Sequence, residues 1–165
     1  MSFLYFVELL AVVYFTRPSL RRIFGALAGG GIVGVFGLGI IFLGNAFGLW
    51  QVSISWTPIF LSLFYLGLAI SVSPIYLVTW RIARRFGLGG LAVFIGLATL
   101  IGPPRDYVFA ATFPEWMVFA PGVAPVVADA AAYFGIVAIG HAVMRLISGP
   151  SRGDLLARHR RLAAR

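Results

Sequence analysis

Long apolar runs separated by short polar stretches divide this chain into five segments. The runs lie near residues 2–16, 23–50, 58–80, 87–102 and 124–148. A membrane-spanning helix needs roughly 20 mostly apolar residues, whereas the strands of a membrane barrel are about 10 residues long and alternate between apolar and polar positions. The runs are continuous and do not alternate. The pattern therefore predicts an all-α fold, a polytopic transmembrane helix bundle with about five spans.

The first apolar segment is the shortest and leaves two arrangements open. It ends at Arg17-Pro18, where a charge and a proline together stop a membrane helix. A cleaved signal peptide is not favoured, because no basic region precedes the run and no small-residue cleavage pattern follows it. We expect a retained first span. The alternative is a helix lying in the membrane interface, which would leave four spans.

The fourth segment and the stretch after it are marked by prolines and aromatic residues. Gly102-Pro103-Pro104 is predicted to end the fourth helix, since two adjacent prolines remove two backbone donors. Residues 105–122 then contain Tyr107, Phe109, Phe113, Trp116 and Phe119. Because aromatic rings favour the headgroup layer, this stretch is predicted to lie on or dip into the outer leaflet. A continuous kinked helix reaching Phe113 is the alternative.

The composition agrees with a membrane protein. Hydrophobic residues make up 61% of the chain, charged residues only 11%, and the mean hydropathy is +0.98, whereas soluble domains average about 25% charged residues. Residues 1–150 are therefore interpreted as one transmembrane domain. The chain has no cysteine, which excludes disulfides, thiolate catalysis and cysteine-ligated metal centres.

The positive charges are distributed unevenly over this five-span arrangement. The net charge is +8, and one side receives every arginine except Arg105: Arg17, Arg21, Arg22, Arg81, Arg84, Arg85, Arg145, Arg152, Arg158, Arg160, Arg161 and Arg165. Arginine-rich loops stay in the cytoplasm, so the amino terminus is predicted outside and the carboxyl terminus inside. The basic tail, residues 151–165, is expected to be cytoplasmic and to contact anionic lipid. Such a distribution indicates membrane orientation rather than nucleic-acid binding, and a bacterial plasma (inner) membrane is the expected location.

Two acids fall inside predicted spans, where ionisable residues are costly and often functional. Glu8 lies near the middle of the first segment, and it is either a proton carrier or ligand contact, or a residue that hydrogen-bonds between helices. Asp129 lies one turn into the fifth span, with Tyr133 four residues later on the same helix face. A structural pair between Asp129 and Arg105 and an ion-handling site are both open interpretations.

Three charged residues, Arg105, Asp106 and Glu115, lie close together in the sequence on the predicted outer side. Arginine binds phosphate or carboxylate through two parallel hydrogen bonds, and neighbouring acids can orient it. A site for a lipid headgroup or a small anion is one hypothesis. A self-paired loop held stiff by prolines is the other, and it is favoured.

Two further single residues have a structural and a functional interpretation. His141 lies in the fifth span, where it either hydrogen-bonds to a neighbouring helix or acts as an axial ligand of a haem or chlorophyll. It is about 18 Å along the helix from Asp129, too far for a direct dyad. Pro74 is predicted to kink the third span, either to shape a pocket or to accommodate packing.

The second span is rich in glycines at helix-packing spacing. The GxxxG pairs are Gly25 with Gly29, Gly30 with Gly34, and Gly44 with Gly48. Such pairs form smooth grooves that allow close approach of another helix. The partner is another span of this chain, a second copy or a foreign subunit; the pattern does not distinguish them.

No catalytic signature such as HExxH, GxSxG or Walker A occurs, so no catalytic residue or metal ligand is predicted. We expect a small accessory or structural subunit of a larger inner-membrane complex, which packs through its glycine-rich helix against a protein partner. The 15 phenylalanines suit contact with membrane lipid or with an apolar cofactor such as a quinone or pigment. The alternatives are a proton- or ion-coupled carrier that uses Glu8 or Asp129, and an enzyme acting on a lipid or polyprenyl substrate.

Overall fold

A computed structural model describes residues 2–55 and 57–150, with side chains from Tyr5 onward. Its elements are α1 (Ser2–Thr16), α2 (Leu20–Ala46), β1 (Trp50–Val52), α3 (Pro58–Thr112), β2 (Met117–Phe119) and α4 (Val123–Ser148). The prediction of a helical fold is confirmed. The basic tail, residues 151–165, lies outside the described residues.

Three helices, α2, α3 and α4, are long and apolar enough to cross a membrane. The part of α1 from Tyr5 to Thr16 is a shorter apolar helix. The described residues thus form four helices, and the count of five spans is not confirmed. Helices of this length and apolarity support the assignment of the chain as a membrane protein.

The long helix α3 contains one break, at Gly87. Tyr76 donates a hydrogen bond to the Ile136 carbonyl, and Asp106 accepts one from Tyr133. In a straight helix Tyr76 and Asp106 would lie about 45 Å apart, yet their partners on α4 are within one helical turn of each other. The chain therefore reverses between them. Gly87 has φ 69° and ψ −154°, a backbone region that only glycine occupies readily. We call residues 58–86 the first limb of α3 and residues 88–112 the second limb.

The predicted helix end at Gly102 is wrong, because α3 continues through Pro103 and Pro104 to Thr112. A tertiary contact explains why the two lost backbone hydrogen bonds do not end it. Gly102 lies against the ring of Tyr133, whose hydroxyl binds Asp106 one turn beyond the prolines. The alternative of a continuous helix reaching Phe113 therefore agrees with the structure.

Two short strands, which the sequence did not predict, join the loops at one end of the bundle. They pair antiparallel in the register Trp50 with Phe119, Gln51 with Val118 and Val52 with Met117. The second predicted span therefore ends too late, since α2 stops at Ala46 and Trp50 belongs to β1. The stretch predicted to lie in the outer leaflet is part helix, part turn and part strand. We call this end of the molecule the strand end.

The glycine face of α2 packs inside the molecule. Gly29 approaches the Gly140 carbonyl and the ring of Tyr76, and Gly30 approaches the Ala69 carbonyl. The same face continues with Gly25 against Met144 and Ser148, Gly34 against Tyr65, and Gly44 against Trp50, whereas a side chain at Gly48 would meet open space. The partners of this face are therefore α3, α4 and β1 of the same chain.

Pro74 is buried in the first limb of α3, where the backbone keeps helical torsion angles. The neighbouring Ser73 hydroxyl contacts the Ala69 carbonyl at 2.7 Å and the Ala26 carbonyl of α2 at 3.3 Å. This hydroxyl ties α3 to α2. The kink expected at Pro74 stays a prediction.

The opposite end of the bundle gathers arginines, and we call it the arginine end. Arg22 is buried, and its Nη2 donates to the Gly149 carbonyl just beyond α4 at 2.9 Å. Its guanidinium lies 5.0 Å from the centre of the Trp80 ring, which Arg84 also approaches at 5.8 Å. A cation at the carboxyl end of a helix is stabilised by the helix dipole. Arg22 thereby joins α2, α3 and α4.

Candidate functional site

A polar cluster occupies the strand end, between the second limb of α3 and α4. Its members are Arg105, Asp106, Tyr107, Asp129 and Tyr133. Arg105 donates from Nε and Nη2 to Asp106 Oδ1 at 3.0 and 2.9 Å. The Tyr133 hydroxyl lies 2.9 Å from both oxygens of Asp106. The ion pair that forms is thus with Asp106 rather than Asp129, and Asp106 is held from two helices.

Exposure differs sharply within this ion pair. The Arg105 side chain is 71% exposed and the Asp106 side chain 22%. The Arg105 guanidinium also lies 5.5 Å from the centre of the Tyr133 ring. Asp106 is therefore an internal anchor, whereas Arg105 presents a positive charge at the surface. An exposed pair of this kind adds little stability by itself, about 0 to 1 kcal/mol.

Asp129 and Tyr107 place polar atoms in the interior without partners among the described residues. Asp129 is only 7% exposed, and its Oδ2 accepts no hydrogen bond there. The Tyr107 Oη atom is buried and likewise unpaired, while its ring stacks on Phe119 with centroids 4.1 Å apart. Buried polar atoms are nearly always satisfied, so these two are exceptions among the described residues.

An apolar groove lies beside this cluster, between α2, β1 and α4. Its volume is about 310 Å³, and it is lined by Phe36, Ile40, Leu43, Gly44, Phe47, Leu49, Trp50, Ala128, Ala131 and Ala132. Trp50 is 5% exposed, and its Nε1 makes no hydrogen bond within the described part of the chain. The absence of a side chain on Gly44 lets the indole lie close against α2. The groove is thus an apolar space, and one of its lining residues, Trp50, has a donor that lies buried against Gly44.

Other predicted site residues lie apart from this end. Glu115 is exposed on the turn before β2, and Glu8 is exposed on α1. His141 is buried, with its Nδ1 2.8 Å from the Thr79 hydroxyl of the first limb. A hydrogen bond to a neighbouring helix, the structural interpretation of His141, is therefore present. Where the structure describes the chain, no three His, Cys, Asp or Glu side chains gather to bind a metal ion.

The sequence did not single out two members of this region. The sequence predicts Trp50 to be the end of a span and Tyr107 to be one of several interfacial aromatics. The available signal was the stretch Trp50-Gln51-Val52, in which two apolar residues flank a polar one, the alternation of a half-buried strand. Three residues are too few for that alternation to stand out.

Comparisons of the chain with family models, with curated proteins and with solved structures find no match.

Proposed function

We propose that this protein is a small integral membrane protein whose groove at the strand end binds an apolar molecule. The bound molecule carries an oxygen atom that accepts a hydrogen bond, as a quinone or a lipid ester does. The observation that supports this most directly is that Trp50, which lines an otherwise apolar groove, has an Nε1–H with no partner among the described residues. Ligand sites have this character: mostly apolar surface with a few polar groups that fix orientation.

The energetics favour a ligand of this chemistry. A buried donor without a partner costs about 1 to 3 kcal/mol, and lipid offers no water to relieve that cost. A carbonyl oxygen in the groove would accept from Trp50 once the indole turns away from Gly44, while the apolar body of the ligand would contact Phe36, Ile40 and Leu43. A purely hydrocarbon chain would fill the space but leave the donor unpaired. The acceptor therefore distinguishes the proposed ligand from bulk acyl chains.

We infer that the biological role is that of an accessory subunit which holds such a molecule for a larger assembly. The glycine face of α2 does not provide the docking surface for that assembly, because α3, α4 and β1 cover it. A protein partner must contact another face. The groove itself opens between α2 and α4, so a bound molecule would lie at the surface of the bundle.

We also propose that the chain crosses the bilayer five times, with α1, α2, the two limbs of α3 and α4 as the spans and the arginine end in the cytoplasm. The support is the reversal at Gly87, which turns one long helix into two antiparallel limbs, and the collection of arginines at one end. A cytoplasmic arginine end follows from the positive-inside rule.

Because the chain lacks cysteine, single introduced cysteines test this topology. In intact cells a membrane-impermeant maleimide should label Ser2→Cys and Ser53→Cys, and should label Ser19→Cys only after permeabilisation. Labelling of Ser19→Cys from outside would contradict the orientation. Labelling of Ser2→Cys only after permeabilisation would show that α1 does not span.

Binding to the groove can be measured with decylubiquinone, a quinone with a short apolar tail, by calorimetric titration of the purified protein in detergent. Trp50→Phe keeps an aromatic ring but loses the donor, so we expect about 5-fold weaker binding, the effect of one neutral hydrogen bond of about 1 kcal/mol. Ala131→Phe places a ring in the groove and should abolish binding. Solvent extraction and mass spectrometry of the native protein would identify its own ligand.

Two matched variants control this experiment. Trp116→Phe removes an indole at the same end but outside the groove, and Ala142→Phe adds the same ring to an exposed position of α4 near the arginine end. Both should bind decylubiquinone as the wild type does. If Trp50→Phe and Ala131→Phe also bind normally, the groove is not the site.

The carrier hypothesis remains a second candidate because of Asp129, whose Oδ2 is buried and unpaired. Buried acids in membrane proteins often carry protons or ions. Flux driven by a pH gradient in reconstituted vesicles would favour it. The enzyme hypothesis based on Arg105, Asp106 and Glu115 has less support, since Asp106 is engaged by two partners and Glu115 lies on an exposed turn.

A further inference from the structure

Glu8 is an acid on an exposed surface of the short apolar helix α1. The flank of α1 next to Glu8 packs against α3: Leu9 is buried in the main apolar core with Tyr76 and Leu77, and Val12 and Val13 pack beside it. Glu8 itself is exposed and has no hydrogen bond or ion pair with the described residues. Its neighbours Phe6, Val7 and Leu10 are exposed and apolar. The carboxyl group is therefore set in an apolar surface.

The depth of Glu8 makes this position costly. Glu8 precedes Arg17 by nine residues, about 14 Å of helix, and the hydrocarbon core is about 30 Å thick. If α1 spans with Arg17 at the cytoplasmic interface, Glu8 lies close to the middle of the bilayer. Acids at this depth normally pair with another polar group or line a water-filled cavity.

A narrow stripe on α1 has the shape to receive another helix. Glu8, Ala11 and Phe15 follow the i, i+3, i+7 spacing that places side chains on one helix face, and all three are exposed. Small residues such as Ala11 let helix backbones approach closely in membranes. Phe15 is 78% exposed and provides a large apolar contact next to the arginine end. The stripe therefore combines a charge, a small residue and an aromatic ring.

We propose that this stripe, Glu8–Ala11–Phe15, docks a transmembrane helix of a different protein that presents a lysine or arginine at the depth of Glu8. Charge complementarity favours this occupant over a second copy of the chain. Among the described residues Arg105 is the one arginine away from the arginine end, and it is already paired with Asp106, so a second copy would offer no unpaired cation to Glu8. A two-fold dimer through the stripe would also bring two Glu8 carboxylates together.

This docking surface is separate from the groove. The groove is formed by α2, β1 and α4, whereas the stripe belongs to α1, which packs on α3. A variant that loses helix docking on the stripe can therefore still be tested for ligand binding in the groove, and the reverse.

The test uses a photoreactive benzoylphenylalanine introduced at Phe15 in the full-length protein in its native membrane. The control position is Phe134, an exposed phenylalanine of α4. Irradiation should crosslink the Phe15 probe to one transmembrane helix of another protein, with a lysine or arginine within one turn of the mapped site, and should give only lipid adducts at Phe134. Glu8→Gln should lower the protein crosslink at least 10-fold without changing the melting temperature. Glu8→Arg combined with a glutamate at the partner's basic residue should restore it.

Three outcomes would overturn the proposal. These are a crosslink to a second copy of this chain, lipid adducts alone at both probe positions, and a protein crosslink that Glu8→Gln leaves unchanged. Labelling of Ser2→Cys only after permeabilisation would also overturn it, because Glu8 would then not lie at mid-membrane. Decylubiquinone binding by Glu8→Gln should equal that of the wild type in every case, which keeps this test independent of the groove.

Discussion

Replacing Gly30 with alanine is expected to destabilise the protein by about 3 kcal/mol, the upper end of the range for overpacking a helix interface. An added methyl group would collide with the Ala69 carbonyl and the Ser73 hydroxyl of the first limb. The carbonyl belongs to a helix backbone and cannot turn aside, so α2 and α3 would have to separate. The melting temperature in detergent, followed by circular dichroism, should fall by roughly 10 °C.

Gly39→Ala on the same helix is the matched control. No atom lies within 4 Å of a methyl group added there, and alanine forms helix more readily than glycine by about 1 kcal/mol in water. Its melting temperature should equal or exceed that of the wild type. Equal melting of Gly30→Ala and Gly39→Ala would mean that the glycine face is not packed against α3.

Replacing Arg22 with alanine is expected to cost about 3 kcal/mol as well, through loss of a charged hydrogen bond to Gly149 and of the cation–π contact with Trp80. The Gly149 carbonyl would lose its donor, and a space would open between three helices. The melting temperature of the purified variant measures the combined loss of stability. Folded yield from membranes should fall in parallel.

The neighbouring Arg21 provides the control for Arg22. Arg21 is exposed, and the one hydrogen bond that its side chain makes within the described residues, to the Ile147 carbonyl, is 3.2 Å long. Exposed contacts of this kind contribute little, so Arg21→Ala should lower stability by about 0.5 kcal/mol. Both variants remove one positive charge, so an equal effect would assign the loss to net charge rather than to the buried contacts of Arg22.

Much of the helical arrangement could be predicted because apolar length is a strong signal. The predicted segments 124–148 and 23–50 lie close to α4 and α2, and the predicted boundary at residue 87 coincides with the break in α3. The error at Pro103 and Pro104 has a clear cause. A prediction from local sequence takes the two missing backbone donors as enough to end the helix. The contact of Tyr133 with Gly102 and Asp106, which supports the helix there, joins residues far apart in sequence.

The polar site could be predicted only in part. Arg105, Asp106, Asp129 and Tyr133 were named from the sequence, and the structure brings them to one end. Which acid pairs with Arg105 depends on the rotation of α4 about its axis, which no pattern within one helix determines.

The exposure of Glu8 likewise could not be predicted from the sequence of α1 alone. Its position in an apolar run leaves a proton carrier, a ligand contact and an interhelical hydrogen bond open, and the structure turns Leu9 of α1 to the core while Glu8 is exposed. Trp50 was missed because its role depends on strand pairing with Phe119, which a three-residue stretch does not reveal.

The pairing of Trp50 with Phe119 has a consequence for how the protein is made. All of α3 is synthesised between these two residues, so β1 cannot find its partner until both limbs and the following turn have left the ribosome. Contacts so distant in sequence form late, after local helices. The groove wall is thus completed near the end of biogenesis, and we expect nascent chains shorter than about 120 residues to be inserted helices without a complete groove.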